Sequence, residues 1–262
     1  MTKIALSIAG VDPSGGAGTI ADVKTFAAFG VFPTAAIASI TFQNTQGVFG
    51  AEQQSADSVR RQIIPILDDY EVAALKTGML PTREVIETVA TIITERNLKN
   101  IVVDPVVRST SGFDLIGDAA LRSLIEKLFP LADIITPNIP EAERITGVAI
   151  ENESDIHDAA SVMRELGAKN VLIKGGHLQA SAGIAKDYLF IGKELTILEG
   201  GFFETTATHG TGCTLSSAIA ANLALGNDIV TSAEIAKRFV NEAIRTAPMI
   251  GRGHSPINIK PV

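Results

Sequence analysis

The chain has no tryptophan, two tyrosines and one cysteine, and aromatic residues make up only 5% of its 262 residues. A core so short of aromatics is filled with aliphatic side chains, alanine and glycine, which suits helices packed closely on a sheet better than an aromatic-rich β-sandwich. One cysteine excludes an internal disulfide framework and a cysteine-rich zinc site, and it fits a reducing, cytoplasmic setting. Basic charge is also in deficit: 22 Lys and Arg against 29 Asp and Glu leave a net charge of −7. Neither nucleic acid nor an anionic membrane is offered a basic surface. No apolar run approaches the roughly 18 residues of a membrane span. The opening MTKIALSIAGVDPSGG breaks its short apolar stretch at Asp12 and Pro13, so it makes a poor signal peptide. The expectation is a soluble protein whose partner is a small molecule.

Short apolar runs alternate with helical patterns. The strand candidates are residues 3–10, 34–43, 72–79, 100–106, 132–137 and 170–176, nearly all apolar on both faces, as strands covered by helices on two sides must be. Between them, 19–30, 56–70, 82–97, 118–129 and 154–167 place apolar residues three or four apart, with Gly30 and Gly167 where helices end. The stretch KDYLFIGKELTILEGG reads as a hairpin turning at Gly192 and Lys193, followed by helices over 211–225 and 232–246. This order predicts an α/β fold with a central, mostly parallel sheet, in one domain over 1–262. In such sheets ligands bind beyond the carboxyl ends of the strands. The unusual segments AGVDPSGGAG, QNTQG, TGM, DPV, TPNIPEAE and KGGH all fall there.

THGTGCT, from Thr208, carries the only cysteine just before a helix. Gly210 and Gly212 free successive N–H groups to face a concavity, and the helix adds its positive end. Such a nest stabilises charge on a transferring phosphoryl group. Cys213 beside it reads either as a base whose pKa the helix lowers or as a small buried hydrophobe. His209 invites a Cys–His dyad, which spacing alone does not establish. The other histidines, His157, His177 and His254, lack metal-ligand spacing. Lys174 ends an apolar strand, facing either a phosphate or a neighbouring acid. Asp104, Asn138 and Glu141 bring oxygens to the same edge, suited to Mg²⁺ held through water. Asn138 serves equally as a helix cap. The glycines of GVDPSGGAG form a weak dinucleotide fingerprint, and GxxxxGK[ST] is absent.

Taken in order, AGVDPSGGAG…AD, QNTQGV, KTGM, VVDPV, ITPNIPEAE, IKGGH and THGTGCT resemble the hydroxymethylpyrimidine/phosphomethylpyrimidine kinases of thiamine synthesis, members of the ribokinase-like superfamily. The resemblance implies a three-layer ribokinase-like domain with a small lid, usually a homodimer. It also implies ATP- and Mg²⁺-dependent phosphorylation of 4-amino-5-hydroxymethyl-2-methylpyrimidine to the monophosphate and then the diphosphate. Carried over by position, Gly10, Asp22, Gln43, Met79, Val106 and Cys213 line the pyrimidine pocket. Gly210, Gly212 and Cys213 form the anion hole with Lys174 near the phosphates. Asp104, Asn138 and Glu141 surround Mg²⁺ and its waters, and Thr208, Lys237 and the glycine-containing tail lie on the nucleotide side. Cys213 stands where most of the superfamily has an aspartate base. Two positions depart from the pattern: Thr110, where many members have lysine, and Ser255, where glycine is common.

A pyridoxal kinase of the same fold is the nearest rival, and Gln43 is the residue that separates the two. A cysteine-dependent acyl transferase would react with electrophiles without ATP. A nucleotide-binding sensor would bind ATP without turnover.

Overall fold

The computed structural model describes residues 2–107, 115–176 and 183–260, so Thr110 and His177 lie outside the described residues. The strands are β1 (Ile4–Val11), β2 (Phe32–Asn44), β3 (Gly47–Gln53), β4 (Val72–Thr77), β5 (Ile101–Val103), β6 (Ile134–Ile135), β7 (Asn170–Lys174), β8 (Ile184–Ile191) and β9 (Glu194–Gly201). They form one sheet in the order β3-β2-β1-β4-β5-β6-β7-β8-β9. The run from β2 to β7 is parallel, and the strands outside it, β3, β8 and β9, pair antiparallel. The expected mostly parallel α/β architecture is therefore present, and the hairpin turns at Gly192 and Lys193 between β8 and β9.

Two apolar cores cover the two faces of the sheet. One collects inward side chains of α2 (Ala56–Asp69), α3 (Arg83–Glu95), α4 (Asp118–Ser123), α5 (Ile139–Thr146) and α6 (Glu153–Glu165). The other collects α1 (Gly18–Ala28), α7 (Thr211–Ala224) and α8 (Ile229–Arg245). Alternate residues of single strands divide between them: Leu6 and Ile8 face the first core and Ala5 the second, the period of two that a sheet imposes. In α7 every residue from Thr214 to Ala224 is buried, because it is covered by α1 and α8 as well as by β1, β4 and β5.

Two elements differ from expectation. β3 has a polar, glycine-interrupted sequence, and its strand form comes from antiparallel pairing with the outer half of β2. The helix expected over 118–129 holds α geometry only to Ser123, then continues as a π turn over Leu124–Leu128 and a 3₁₀ turn over Phe129–Leu131, where Pro130 cannot donate to an α ladder. As its helix-cap reading expects, Asn138 caps α5, in a complete capping box in which Asn138 and Glu141 bond each other's backbone N–H.

Candidate active site

β1 pairs with β2 on one side and β4 on the other, so the chain changes direction across the sheet at β1, the kind of point where open sheets bind ligands. The loop that leaves β1 is organised by Asp12. Its carboxylate accepts from the N–H groups of Ser14 at 2.8 Å, Gly16 at 3.2 Å and Ala17 at 2.9 Å. It also lies 2.7 Å from His209 Nε2. Burial opposes the Asp12 charge, but hydrogen bonds from His209, Ser14 and Gln43 hold the carboxyl well below the usual range. His209 is thus committed to Asp12, which removes the Cys–His dyad.

Beside this loop, Gly210 caps α7 with a left-handed φ of 87°, and a Cβ there would come within 1.9 Å of the Gly16 carbonyl oxygen. Only glycine lets the two loops approach so closely. The first α-type bond of the helix runs from Thr214 N–H to Gly210 at 2.9 Å. The N–H groups of Gly212 and Cys213 precede it and have no partner among the described residues, so they point as free donors at the helix start. Lys174 faces them: its Nζ is 3.1 Å from where a Gly212 Cβ would stand.

Lys174 Nζ donates to Asp104 Oδ1 at 3.1 Å and lies 3.9 Å from Glu141 Oε2. This lysine therefore has the acid partners of one reading, and it also lies beside the unpartnered N–H groups. Burial opposes its charge, and Asp104 and Glu141 raise its pKa above the ordinary lysine value. Asp104 is opposed by burial too, but Lys174 and Lys76 keep it ionised below the normal carboxylate range, and Thr136 and Ser216 each donate to it at 3.2 Å.

Glu141 is pushed by burial from 4.5 up to about 7, with Lys174 pulling it down and Asp104 pushing it further up. A carboxyl that binds its proton more tightly when folded contributes stability that is complete below 4.5 and is lost as pH rises through about 7. Glu141→Gln keeps the capping geometry and removes this titration. Its melting temperature should gain on that of the parent between about pH 5 and about pH 8. Parallel melting curves across that range would show that Glu141 does not titrate there.

A cavity of about 1260 Å³ joins these parts. Its lining includes Gly10, Gln43, Met79, Asp104, Val106, Asn138, Glu141, Lys174, Thr208, Gly210, Gly212, Cys213 and Lys237. Lys237 Nζ donates to Asp187 Oδ2 at 2.7 Å. Asp22 is the exception. It is fully buried behind the cavity wall, with its carboxylate taken by Lys76 at 3.0 Å, Ser7 at 2.6 Å and Ser217 at 2.7 Å. It has no oxygen left to meet a ligand. The tail packs at the same edge: Arg252 and Gly253 N–H donate to Thr45 Oγ1, His209 N–H donates to the Ser255 carbonyl, and His254 Nδ1 lies 3.3 Å from Thr208 Oγ1. The tail thus spans the β2–β3 turn and the segment before α7.

Cys213 departs from the expected lowered pKa. Burial pushes its thiol up to about 11, helped by Asp22 and Asp104 and opposed by Lys76 and the Gly18 N–H. Burial is the largest influence on it. Sequence reading missed Lys76, which sits in an ordinary apolar strand, and Asp12, whose role depends on a loop 197 residues away. Among the described residues no group of three or more His, Cys, Asp or Glu comes together to hold a metal, and no helix is long and apolar enough to cross a membrane.

The sequence model of phosphomethylpyrimidine kinase matches residues 12–258. A hydroxymethylpyrimidine/phosphomethylpyrimidine kinase of Haemophilus influenzae is 42% identical, over 98% of this chain and 96% of its own. The chain belongs to the phosphomethylpyrimidine kinase family. Among solved structures, a phosphomethylpyrimidine kinase of Clostridium difficile is 42% identical with a TM-score of 0.81, covering 93% of this chain and 100% of its own. A Bacillus subtilis pyridoxal kinase, solved as an ADP complex, is 36% identical with a TM-score of 0.89, covering 98% and 97%. The fold is ribokinase-like, shared by kinases for two different vitamin rings.

Proposed function

We propose that the chain, acting as one domain, phosphorylates 4-amino-5-hydroxymethyl-2-methylpyrimidine with ATP to the monophosphate and then to the diphosphate, as a step of thiamine synthesis. The observation that carries this is the pair of free N–H groups at Gly212 and Cys213 facing the Lys174 ammonium across a cavity large enough for two ligands. Donors fixed in that arrangement stabilise the charge on a phosphoryl group in flight, which needs positioning and electrostatics more than covalent help. In the first reaction the substrate hydroxyl loses its proton to the Cys213 thiolate, its oxygen bonds to the γ-phosphorus, and the bond from phosphorus to ADP breaks. In the second reaction a phosphate oxygen, already anionic near neutral pH, takes the place of the hydroxyl.

Asp104 and Glu141 suit Mg²⁺, because they supply hard oxygen donors beside the anion site, and their existing bonds to Lys174, Thr136, Ser216 and Asn138 favour contact through water. Bound there with ATP, the ion would neutralise charge on the transferring phosphates. Asn138, Thr208 and Lys237 then border the nucleotide, and Gly10, Met79 and Val106 border the ring.

Gln43 supplies both donor and acceptor for an aminopyrimidine edge. Its amide also steadies Asp12. Gln43→Leu should weaken the pyrimidine by about 1 to 3 kcal/mol, through the polar edge left unpaired. Steady-state kinetics with the pyrimidine and with pyridoxal test this: an unchanged KM for the pyrimidine removes Gln43 from the pocket. A higher kcat/KM of the parent for pyridoxal moves the assignment to the rival kinase, which the likeness to the Bacillus subtilis enzyme keeps in play.

A homodimer is part of this proposal. Along β2 the residues alternate: Thr41 and Gln43 face the cavity while Ile40 and Phe42 are exposed, joined by Phe49 of β3, 70% exposed. An apolar face of this kind marks a protein contact. Sedimentation should give twice the chain mass for the parent and a monomer for Phe49→Glu. A parent that sediments as a monomer ends the dimer proposal. The reading also requires a reduced thiol at 213, as a cytoplasmic protein keeps it.

A further inference from the structure

One polar cluster in the core has no part in the chemistry above. Lys76 of β4 is fully buried, and its Nζ reaches both Asp22 oxygens at 3.0 Å. Asp22 of α1 is fixed in turn by Ser7 of β1 and Ser217 of α7, so four elements converge on one ion pair. Burying such a pair is weak evidence for stability, since apolar side chains of similar volume often serve as well or better. Its place in the fold is more informative. Ser217 lies one helical turn beyond Cys213, which puts the pair beneath the thiol. Lys76 is also part of the cavity lining, and Gly78 leaves space for it: a Cβ at Gly78 would stand 2.8 Å from Nζ.

We propose that Lys76 is a positioning residue for the kinase chemistry: anchored by Asp22, its ammonium holds the negative charge that forms on the Cys213 sulfur, without exchanging a proton itself. The proposal rests on the kinase reading for its purpose, but not for its test. The charged groups that face the sulfur are Lys76 from β4, Asp22 from α1, Asp104 from the end of β5 and Lys174 from β7. The Gly18 N–H adds a hydrogen bond from the start of α1. Of the charged groups Lys76 has the largest effect on the thiol, and it acts against the burial that keeps the proton on. Burial also opposes charge on Lys76, yet Asp22 and the more distant Cys213 and Asp104 hold the ammonium above the ordinary lysine range. It therefore stays a fixed cation at working pH. When the thiol gives its proton to solvent water, the sulfur anion is left in the field of this cation. The anion then takes the proton of the substrate hydroxyl, and the thiol is restored.

Cys213 is the only cysteine, so alkylation by iodoacetamide reads this one sulfur. At about pH 9, Lys76→Met should react about tenfold more slowly than the parent, the change expected for roughly one unit in the thiol pKa. Asp22→Asn removes the anion while Asp104 still faces Lys76, and it should react several-fold faster, for the same reason with opposite sign. A pair that only packs the cavity floor would loosen in either variant, and both would then react faster. That result, or equal rates in all three proteins, overturns the proposal. Should Lys76→Met fail to fold, Asp22→Asn/Lys76→Met compared with Asp22→Asn isolates the same cation: the double variant must react more slowly, and equal or faster reaction overturns the proposal. Turnover is measured beside alkylation. Parent protein that phosphorylates no pyrimidine defeats the kinase reading, while the alkylation rates, which need no substrate, still decide the role of Lys76.

Discussion

Cys213→Ala should lower kcat for the first phosphorylation by about 10², the low end for loss of a general base, while leaving the second phosphorylation nearly intact. The reason for the split is chemical. A hydroxyl must shed a proton as its oxygen attacks, but a phosphate oxygen has none to lose at neutral pH. The low end is expected because a loose transition state needs little proton transfer early on, and because burial keeps the thiol protonated, with a pKa of about 11. For the same reason kcat of the parent in the first step should climb with pH toward that value. Cys213→Asp should restore part of the rate and flatten the climb, since a carboxylate ionises several pH units below a thiol even under the same upward push from burial. Cys213→Ser should restore less. Rates of both steps measured separately, with thermal melts alongside, test this. Alanine with parental kcat in the first step would end the role of the sulfur, and equal losses in both steps would point to a damaged anion hole.

Gly210→Ala should abolish most activity in both steps, a fall of about 10² to 10³, because it acts on the anion hole that the two reactions share. Two costs arise at once. Alanine in the left-handed region costs about 1 to 2 kcal/mol. Its Cβ would also stand 1.9 Å from the Gly16 carbonyl oxygen, a backbone atom that cannot rotate away. Either the α7 start or the Asp12 loop must move, and each move misdirects the Gly212 and Cys213 N–H groups. A loss of about 2 to 4 kcal/mol in stability should accompany it. Gly212 offers the contrast, since a Cβ there would meet the flexible end of Lys174 at 3.1 Å instead of backbone. Gly212→Ala should therefore keep its melting temperature and lose activity through a displaced Lys174. Should Gly210→Ala melt and turn over like the parent, the close approach of the two loops is not what shapes the hole.

The α/β order, the parallel sheet and the position of the site were legible in the sequence, because they rest on local chemistry. Apolar runs of strand length and helical periods survive in any context, and glycines at 30, 167 and 192 take the positive φ values that end helices or turn a hairpin. The helix start proposed as the anion hole was legible for the same reason: Gly210 to Cys213 run directly into α7, so one segment builds it. Other features depended on residues far apart in the chain. β3 is a strand because β2 supplies its partner, and Asp22 is withdrawn from the cavity because Lys76, Ser7 and Ser217 take its oxygens from three other elements. Lys76 could not be read as a buried cation from an apolar strand, nor could His209 be assigned to Asp12 instead of Cys213. The thiol shows the limit most clearly. Its place at a helix start, which the sequence determines, lowers a cysteine pKa, but the balance among burial, two carboxylates and one buried ammonium raises it. Only packing decides that balance, since desolvation depends on everything that surrounds the sulfur and not on the residues beside it in the chain.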